Sequence, residues 1–431
     1  MNFKRKRGLA ALLLAFSAGP AFPSSQPPAV PPQPSLPPAF EDIDDVPMPD
    51  PDLWDRIRLG FRLDALDSPL VAEQEAWYSS RPEYIKRFVD RGSLYLHYIV
   101  EQVEKRKMPT EIALLPVIES AFNPKAYSRS KASGIWQFIP STGKNYGLAQ
   151  DWWKDNRRDI VAATDAALNY LQKLREDMGD WELALAAYNC GEGCVARAVA
   201  WNQKRGLPTD YASLTKLPPE TRKYVPKLFA VKNIVLSPAS YGVELESVPD
   251  EPYFTEVKAP PRIDVNLAAK LADMSEDDFT ALNPAHNKAV ASSGTLILPI
   301  DRADAFKANL EAYDKPLVTW TTYPARRGES LDLIARRHGI TLAQIKAANG
   351  DLRLDKRGRL RSAGPVMVPM RPAQAVKVSQ VVSPDRTYTV RGGDTLYGIA
   401  LTHKTSVEAI TELNGLTAAA VLHPGLKLRI P

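Results

Sequence analysis

Apolar residues recur three and four residues apart over a long stretch of the chain, from about residue 52 to residue 241. The spacing is clearest from Ser93 to Lys107 and from Val161 to Leu174. This period places apolar side chains on one face of a helix. No run of alternating apolar and polar residues is long enough to indicate a large sheet. The pattern predicts an all-α domain at residues 52–245, long enough to bury a substantial core.

Three shorter segments follow, at residues 252–300, 318–370 and 386–431, and they share one plan. Each has a short β-type run, a helical stretch, an Asn and a β-type run ending in Pro. A period of about 45 residues indicates a repeated βααβ module. The plan is clearest in the last segment, whereas the first keeps few of its features and is degenerate. The predicted fold class is therefore mainly α, with small βααβ modules after the helical domain.

The first 21 residues have the order of a secretory signal peptide: a basic cluster, an apolar run and then small residues. The apolar run is too short to span a bilayer as a helix. Residues 22–51 are rich in Pro and predict an extended linker. No Cys lies near the expected cleavage point, so a lipid anchor is not supported. These features predict an exported protein.

Charge and cysteine content exclude several classes of protein. The 431 residues carry a formal net charge of +5, and a basic leader accounts for most of it. The mature chain is near neutral, which argues against a nucleic-acid-binding protein. Cys190 and Cys194 are the two cysteines, too few for a disulfide scaffold or a closed zinc site. We therefore expect neither a metal nor a cofactor.

One carboxylate is notable for its position. Glu119 ends the apolar run from Leu114 to Ile118 and is followed by Ser120. Apolar surroundings raise the pKa of a carboxyl group, which suits a general acid near neutral pH. Taken alone, a surface Glu at the end of a helix is the simpler interpretation.

Companion residues follow Glu119 in a characteristic order. They are Ser128, Gln137 within the segment 134–138, Tyr188 and Asn189 after Ala187, and Tyr224 within the segment 220–225. In order and spacing, these motifs resemble those of lytic murein transglycosylases, specifically the membrane-bound lytic murein transglycosylase D group. The resemblance covers about 190 residues and implies a lysozyme-like fold for the helical domain.

The resemblance implies a reaction on the glycan strands of peptidoglycan. Glu119 would be first the acid and then the base in cleavage of the β-1,4 bond between N-acetylmuramic acid and N-acetylglucosamine. Ser128 would hydrogen-bond to Glu119 or to the substrate. One carboxylate suffices if the C6 hydroxyl of the sugar attacks and closes a 1,6-anhydro ring. Two alternatives stay open: a lysozyme-type hydrolase and a catalytically inactive wall-binding protein. A hydrolase would use water and a second carboxylate, such as Asp151, Asp159 or Asp165.

The remaining site residues take their roles from the same resemblance. Gln137 and Asn189 would contact the sugar and its N-acetyl group, and Tyr188 and Tyr224 would line the cleft near Glu119. Each role has a structural alternative. Gln137 could cap a turn, Asn189 could end its helix, and both tyrosines could be ordinary core residues.

The three repeats resemble LysM modules, which bind glycans containing N-acetylglucosamine. The alternative is that they are small spacer domains without a ligand, which is the favoured interpretation for the degenerate first copy. In the last copy the resemblance places the groove between the loops 392–395 and 414–416. Its expected glycan-binding residues are Gly393, Asp394, Thr395, Asn414, Gly415 and Leu416. The expected partner is peptidoglycan, and the expected location is the periplasm, in association with the cell wall. Many relatives carry a lipid-anchoring cysteine that this chain lacks, so membrane anchoring is not supported.

The redox state of the two cysteines stays open. Export favours a disulfide between Cys190 and Cys194. Helical neighbours four residues apart have Cβ atoms about 5–6 Å apart, whereas a disulfide requires about 3.8 Å. The bond therefore requires a turn, which Gly191 and Gly193 permit. Two buried free thiols are the alternative.

Overall fold

The computed structural model describes residues 51–350, 352–370, 386–391, 394–403, 405, 407–414, 416, 422–423 and 425–430. The signal peptide and nearly all of the linker lie outside the described residues, as do Gly393 and Gly415, and the expectations about them stay predictions. Within the described ranges, no helix has the length and apolar character needed to cross a membrane.

The first part of the described chain is helical, as predicted. Its α-helices are α1 (Leu53–Leu59), α2 (Pro69–Ser79), α3 (Pro82–Gly92), α4 (Leu96–Lys105), α5 (Leu115–Ser120), α6 (Pro140–Asn145), α7 (Ile160–Met178), α8 (Trp181–Cys190), α9 (Glu192–Gln203) and α10 (Pro219–Leu236). Short 3₁₀ helices lie at Thr110–Leu114, Tyr211–Ser213 and Pro238–Tyr241.

Local signals fix the limits of α7 and α8, the two helices that lead to the Ala-Tyr-Asn motif. Asp159 begins α7 by accepting a hydrogen bond from the backbone N–H of Ala162. Gly179 ends α7 in the left-handed conformation, with φ 89°. Asp180 then caps α8 through the N–H of Leu183. The apolar face predicted for α7 is buried.

Helix α10 packs against α2, α8, α5 and the 3₁₀ helix Thr110–Leu114. A buried charge network reinforces the last of these contacts. The carboxylate of Glu111 accepts from the backbone N–H groups of Arg62 and Leu63 and pairs with Lys232 of α10 at 3.2 Å. Glu111 is fully buried, so its partners must replace the water that it loses. This network holds α10 against the segment that leads into α5.

The remaining elements form three small modules. The first module comprises β1 (Phe254–Lys258), β2 (Ile263–Asp264), α11 (Val265–Leu271), α12 (Glu276–Leu282), β3 (Val290–Ala291) and β4 (Thr295–Pro299), and α13 (Ile300–Glu311) follows it. The middle module comprises β5 (Trp320–Ala325), α14 (Leu331–Arg337), α15 (Leu342–Ala347) and β6 (Gly364–Pro369). The last module comprises β7 (Arg386–Thr389), α16 (Leu396–His403), α17 (Val407–Asn414) and β8 (Lys427–Ile430). In each module the outer strands pair antiparallel, β1 with β4, β5 with β6 and β7 with β8.

One Asn per module joins the second helix to the closing strand. The side-chain amide of Asn283 donates to Phe279 O and Ile297 O, and its oxygen accepts from Ile297 N. Asn349 and Asn414 make the same three bonds in the middle and last modules. The first module therefore keeps the βααβ order although few of its sequence signals remain.

Candidate active site

Glu119 lies in the last turn of α5, at a sharp end of the helix. The next two residues, Ala121 and Phe122, both adopt left-handed backbone angles, with φ 49° and 52°. Phe122 is fully buried, and this packing maintains a conformation that is costly for residues other than glycine. The abrupt ending leaves the Glu119 side chain half-buried beside α10.

The environment of Glu119 brings its pKa close to neutrality. Burial raises the pKa, while a hydrogen bond from the hydroxyl of Tyr224 to Oε1 (2.6 Å) and the charge of Lys227 lower it. The charge of Glu220 raises it, and the resulting pKa is about 7. A carboxyl group with this pKa can both donate and accept a proton near neutral pH.

The two tyrosines contact the site in different ways. Tyr224 lies on α10 and donates to Glu119, whereas Tyr188 on α8 donates to the carbonyl of Trp136 at 2.9 Å. Burial and the charge of Glu119 raise the pKa of both phenols well above 10. Both therefore stay protonated and act as hydrogen-bond donors at neutral pH.

The loop from Ser128 to Phe138 is held by local hydrogen bonds. The hydroxyl of Ser128 accepts from the N–H of Ala132 at 3.0 Å. Gln137 has a φ of 51°, and its side-chain amide donates to Gly134 O at 2.7 Å. Gln137 thus caps its turn, and among the described residues no donor reaches its amide oxygen. That oxygen can still accept a hydrogen bond from a ligand.

Arg157 holds this loop in place, and the sequence analysis did not identify this residue. Its buried guanidinium pairs with Asp155 (2.6 Å) and donates to Lys131 O (2.6 Å) and Phe138 O (3.1 Å). Gly134 has a φ of 82°, and a Cβ there would lie 2.0 Å from Arg157 O. Only glycine fits this approach. In the sequence, Gly134 of the 134–138 motif indicates a close approach of another segment, but it does not identify Arg157 as the residue that approaches.

Two further contacts tie the site together. Ser120, next to Glu119, donates to Ile135 O at 3.0 Å, and the Glu-Ser motif was the signal that could have found it. Asn189 lies at the end of α8, and its side-chain oxygen accepts from the hydroxyl of Thr221 at 2.7 Å. The structure thus brings Glu119, Tyr224 and the 134–138 loop together, with Tyr188 and Asn189 on the adjoining helix.

Cys190 and Cys194 form a disulfide, with Cα atoms 5.9 Å apart. The required break in the helix is present: α8 ends at Cys190, Gly191 has φ 89° and ψ 149°, and α9 begins at Glu192. The bond therefore fixes the backbone directly after Tyr188 and Asn189.

The three aspartates considered as second carboxylates all serve local structure. Asp159 caps α7, Asp165 pairs with Arg106, and Asp151 accepts from the N–H groups of Trp153 and Lys154. No cluster of His, Cys, Asp or Glu among the described residues is arranged to hold a metal ion.

In the last module, the expected glycan-binding side chains of Asp394 and Asn414 have structural partners. Asp394 accepts from the hydroxyl of Tyr388 and from Arg391 N, both at 2.8 Å. Asn414 makes the three bonds described above. Thr395 is exposed at the start of α16, and Leu416 packs against the module core. A glycan contact by these residues stays a prediction.

Comparisons with known proteins agree with this architecture. The family described as transglycosylase SLT domain matches residues 98–208. The LysM domain matches residues 323–357 and 388–431. The LysM-like domain of lytic transglycosylase MltD matches residues 253–315.

The chain is 35% identical over 405 residues to proteins named membrane-bound lytic murein transglycosylase D, from Escherichia coli K12 and an O6:H1 strain. Each alignment covers 89% of this chain and 86% of the relative. The 70 kDa soluble lytic transglycosylase of Escherichia coli aligns with a TM-score of 0.27 at 24% identity, over 32% of this chain and 23% of that one. The long alignment at this identity shows that the chain belongs to the membrane-bound lytic murein transglycosylase D family.

Proposed function

We propose that this protein is a lytic transglycosylase that cuts the glycan strands of peptidoglycan and releases 1,6-anhydromuramoyl products. The observation that carries this proposal is the carboxyl group of Glu119, with a pKa of about 7 and a tyrosine hydroxyl on one oxygen. Family membership supports the substrate class.

The reaction begins with Glu119 protonated. Its proton passes to the oxygen of the glycosidic bond as that bond breaks, and the sugar develops positive charge that its own N-acetyl group stabilises. Glu119, now a carboxylate, then takes the proton of the C6 hydroxyl as that oxygen attacks C1. Glu119 thus returns to its starting state, and no water is consumed. An attacking group within the substrate replaces a bimolecular step, which accelerates ring closure.

The surrounding residues have supporting tasks. Tyr224 donates to the carboxylate that forms after the first proton transfer and so stabilises it. The amide oxygen of Gln137 and the amide nitrogen of Asn189 are suited to the N-acetyl and hydroxyl groups of the sugar. Ser128, at the start of the same loop, supplies a hydroxyl group that can hydrogen-bond to the substrate.

The hydrolase alternative is weaker because the candidate aspartates Asp151, Asp159 and Asp165 serve helix caps, turns and an ion pair. Product analysis separates the alternatives. Purified peptidoglycan is digested and the released fragments are weighed by mass spectrometry. We expect anhydro ends, lighter by one water than reducing ends. Reducing ends would indicate a hydrolase, and no release would indicate a wall-binding protein.

We further propose that the mature protein acts in the periplasm at the cell wall, to which the LysM modules bind it. The matches to the LysM domain support glycan binding by the middle and last modules. The basic, apolar and small-residue order of the first 21 residues supports export.

A further inference from the structure

The first module docks against one loop of the helical domain, residues 151–158, which we call the docking loop. Two backbone hydrogen bonds cross the contact, Asp155 N to Ala285 O (2.8 Å) and Asn287 N to Trp153 O (2.7 Å). The side chain of Asn287 adds two more, since it donates to Asp151 O at 3.0 Å and accepts from Arg158. Backbone pairing of this kind defines one relative position of the two parts.

Charged and aromatic side chains strengthen the same contact. Arg262 and Lys288 of the first module lie over the rings of Trp153 and Trp152, at 4.2 and 4.5 Å from the ring centres. Burial at this contact, together with nearby positive charge, lowers the pKa of His286 to about 4. Asp155, Ala285 and Lys288 are buried at the centre of the contact.

A second contact lies on another face of the first module. The hydroxyl of Tyr95 donates to Ala281 O at 2.8 Å. The ring of Phe254 lies 5.3 Å from that of Tyr98. Phe254, with Leu282 and Ile297, belongs to the same apolar core as the helical domain. Two separate contacts prevent rotation of the module about either one.

The docking loop is also the segment that holds the active-site loop. Asp155, whose N–H bonds to the first module, pairs through its carboxylate with Arg157. Arg157 in turn binds Lys131 O and Phe138 O, on either side of Gln137. A continuous set of hydrogen bonds thus runs from Ala285 to the backbone that carries Gln137.

The loop at the start of α11, in the first module, is bonded to a later segment of the chain, residues 317–319. The N–H of Asp264 donates to Leu317 O at 2.9 Å, and its carboxylate accepts from Thr319 N at 2.9 Å. In the middle module the equivalent residue, Ser330, caps its own helix. The segment 317–319 therefore engages Asp264, while Asn266 and Leu267, which follow it, line an open cleft of about 930 Å³.

We propose that the first module is a positioning element for the active-site loop rather than a glycan-binding module, and that Asn287 is its main positioning residue. The inference rests on the proposed function, because the loop that it positions is the one that binds substrate. A loose docking loop would let Gln137 move relative to Glu119, and displacements of about 1 Å can cost about 10²-fold in rate.

The test uses the full chain and a short soluble glycan as substrate, so that wall binding does not affect the rate. We expect Asn287→Ala to lower kcat about tenfold with little change in KM. Pelleting with insoluble peptidoglycan should stay at the wild-type level. Tyr95→Phe removes the hydrogen bond to Ala281 on the other face and should lower kcat in the same way. Assays are run at a temperature at which melting curves show each variant folded.

The matched control is Asn309→Ala. Asn309 lies on α13, directly after the first module. It donates to Leu271 O at 2.9 Å and lines a cleft of about 930 Å³ between the first and middle modules. We expect it to change neither kcat nor pelleting. Wild-type kcat in both Asn287→Ala and Tyr95→Phe would overturn the inference. Reduced pelleting by Asn309→Ala would also overturn it, because the cleft that the first module helps to form would then bind glycan. Wild-type protein without turnover would instead refute the proposed function.

Discussion

Replacing Tyr224 with Phe removes the hydroxyl that donates to Glu119 Oε1 at 2.6 Å and keeps the buried ring. That bond lowers the pKa of Glu119, which is about 7 in the intact protein. Its loss must therefore raise the pKa. Because protonated Glu119 is the acid of the first step, activity should persist to higher pH in the variant than in the wild type.

The size of the change follows from the strength of the bond in the two protonation states. A hydrogen bond to a charged group contributes about 1.5–3 kcal/mol, and one to a neutral group about 0.5–1.5 kcal/mol. A difference of about 1.4 kcal/mol corresponds to about one pH unit. The midpoint of the alkaline limb should move from about 7 in the wild type to about one pH unit higher in Tyr224→Phe.

The assay measures kcat/KM on a soluble glycan from about pH 5 to about pH 9, since this parameter reports the ionisation of the free enzyme. Tyr188→Phe is the matched control, because its hydroxyl donates to Trp136 O and not to Glu119. It should lower kcat without moving the midpoint. An unchanged or lower midpoint in Tyr224→Phe, or an equal change in both variants, would refute the reasoning.

Glu119→Gln should lower the rate of cleavage by about 10²–10⁴-fold, and wild-type cleavage by the folded variant would contradict the assignment. Because the pKa of Glu119 is raised from 4.5 to about 7 in the folded protein, its ionisation lowers the stability of the wild type as the pH rises through this range. The variant should therefore melt no lower than the wild type above pH 7. Glu111→Ala leaves Lys232 buried without its carboxylate partner and should lower the free energy of unfolding in urea by about 3–5 kcal/mol. The control, Asp55→Ala, removes an exposed ion pair and should lower it by less than about 1 kcal/mol. Equal losses would show that the buried network is unimportant. Thiol titration of denatured, unreduced protein should find no free thiol, and two thiols per chain would exclude the disulfide. Because the disulfide closes a short loop, it adds little to the stability of the fold. Reduction should therefore lower the activity more than the melting temperature.

The fold class and the helical elements were predictable because they depend on local periodicity. The apolar face of α7 and the βααβ order of the modules follow from residue spacing, and the structure confirms both. Caps such as Asp159 are likewise local. The domain boundaries and the role of each site residue stay predictions.

The missed features depend on contacts between distant parts of the chain. The residues around Arg157 do not reveal its role, because it binds the backbone carbonyls of residues 131 and 138, which lie 26 and 19 positions earlier in the chain. Asn414 shows the opposite difficulty. Its recurrence in three modules was visible, but a residue that closes a module and one that binds a glycan give the same pattern. The docking of the first module on residues 151–158 could not be predicted either, since it joins segments more than 100 residues apart.

The most direct test of the central claim is the origin of the oxygen at C1 of the product. Peptidoglycan is digested by the wild-type protein in water enriched in oxygen-18, and the muramoyl ends are analysed by mass spectrometry. If the C6 hydroxyl attacks while Glu119 takes its proton, the products are anhydro ends without the label. New reducing ends that carry the label, in excess of those in undigested peptidoglycan kept in the same water, would mean that water is the nucleophile and would contradict the account.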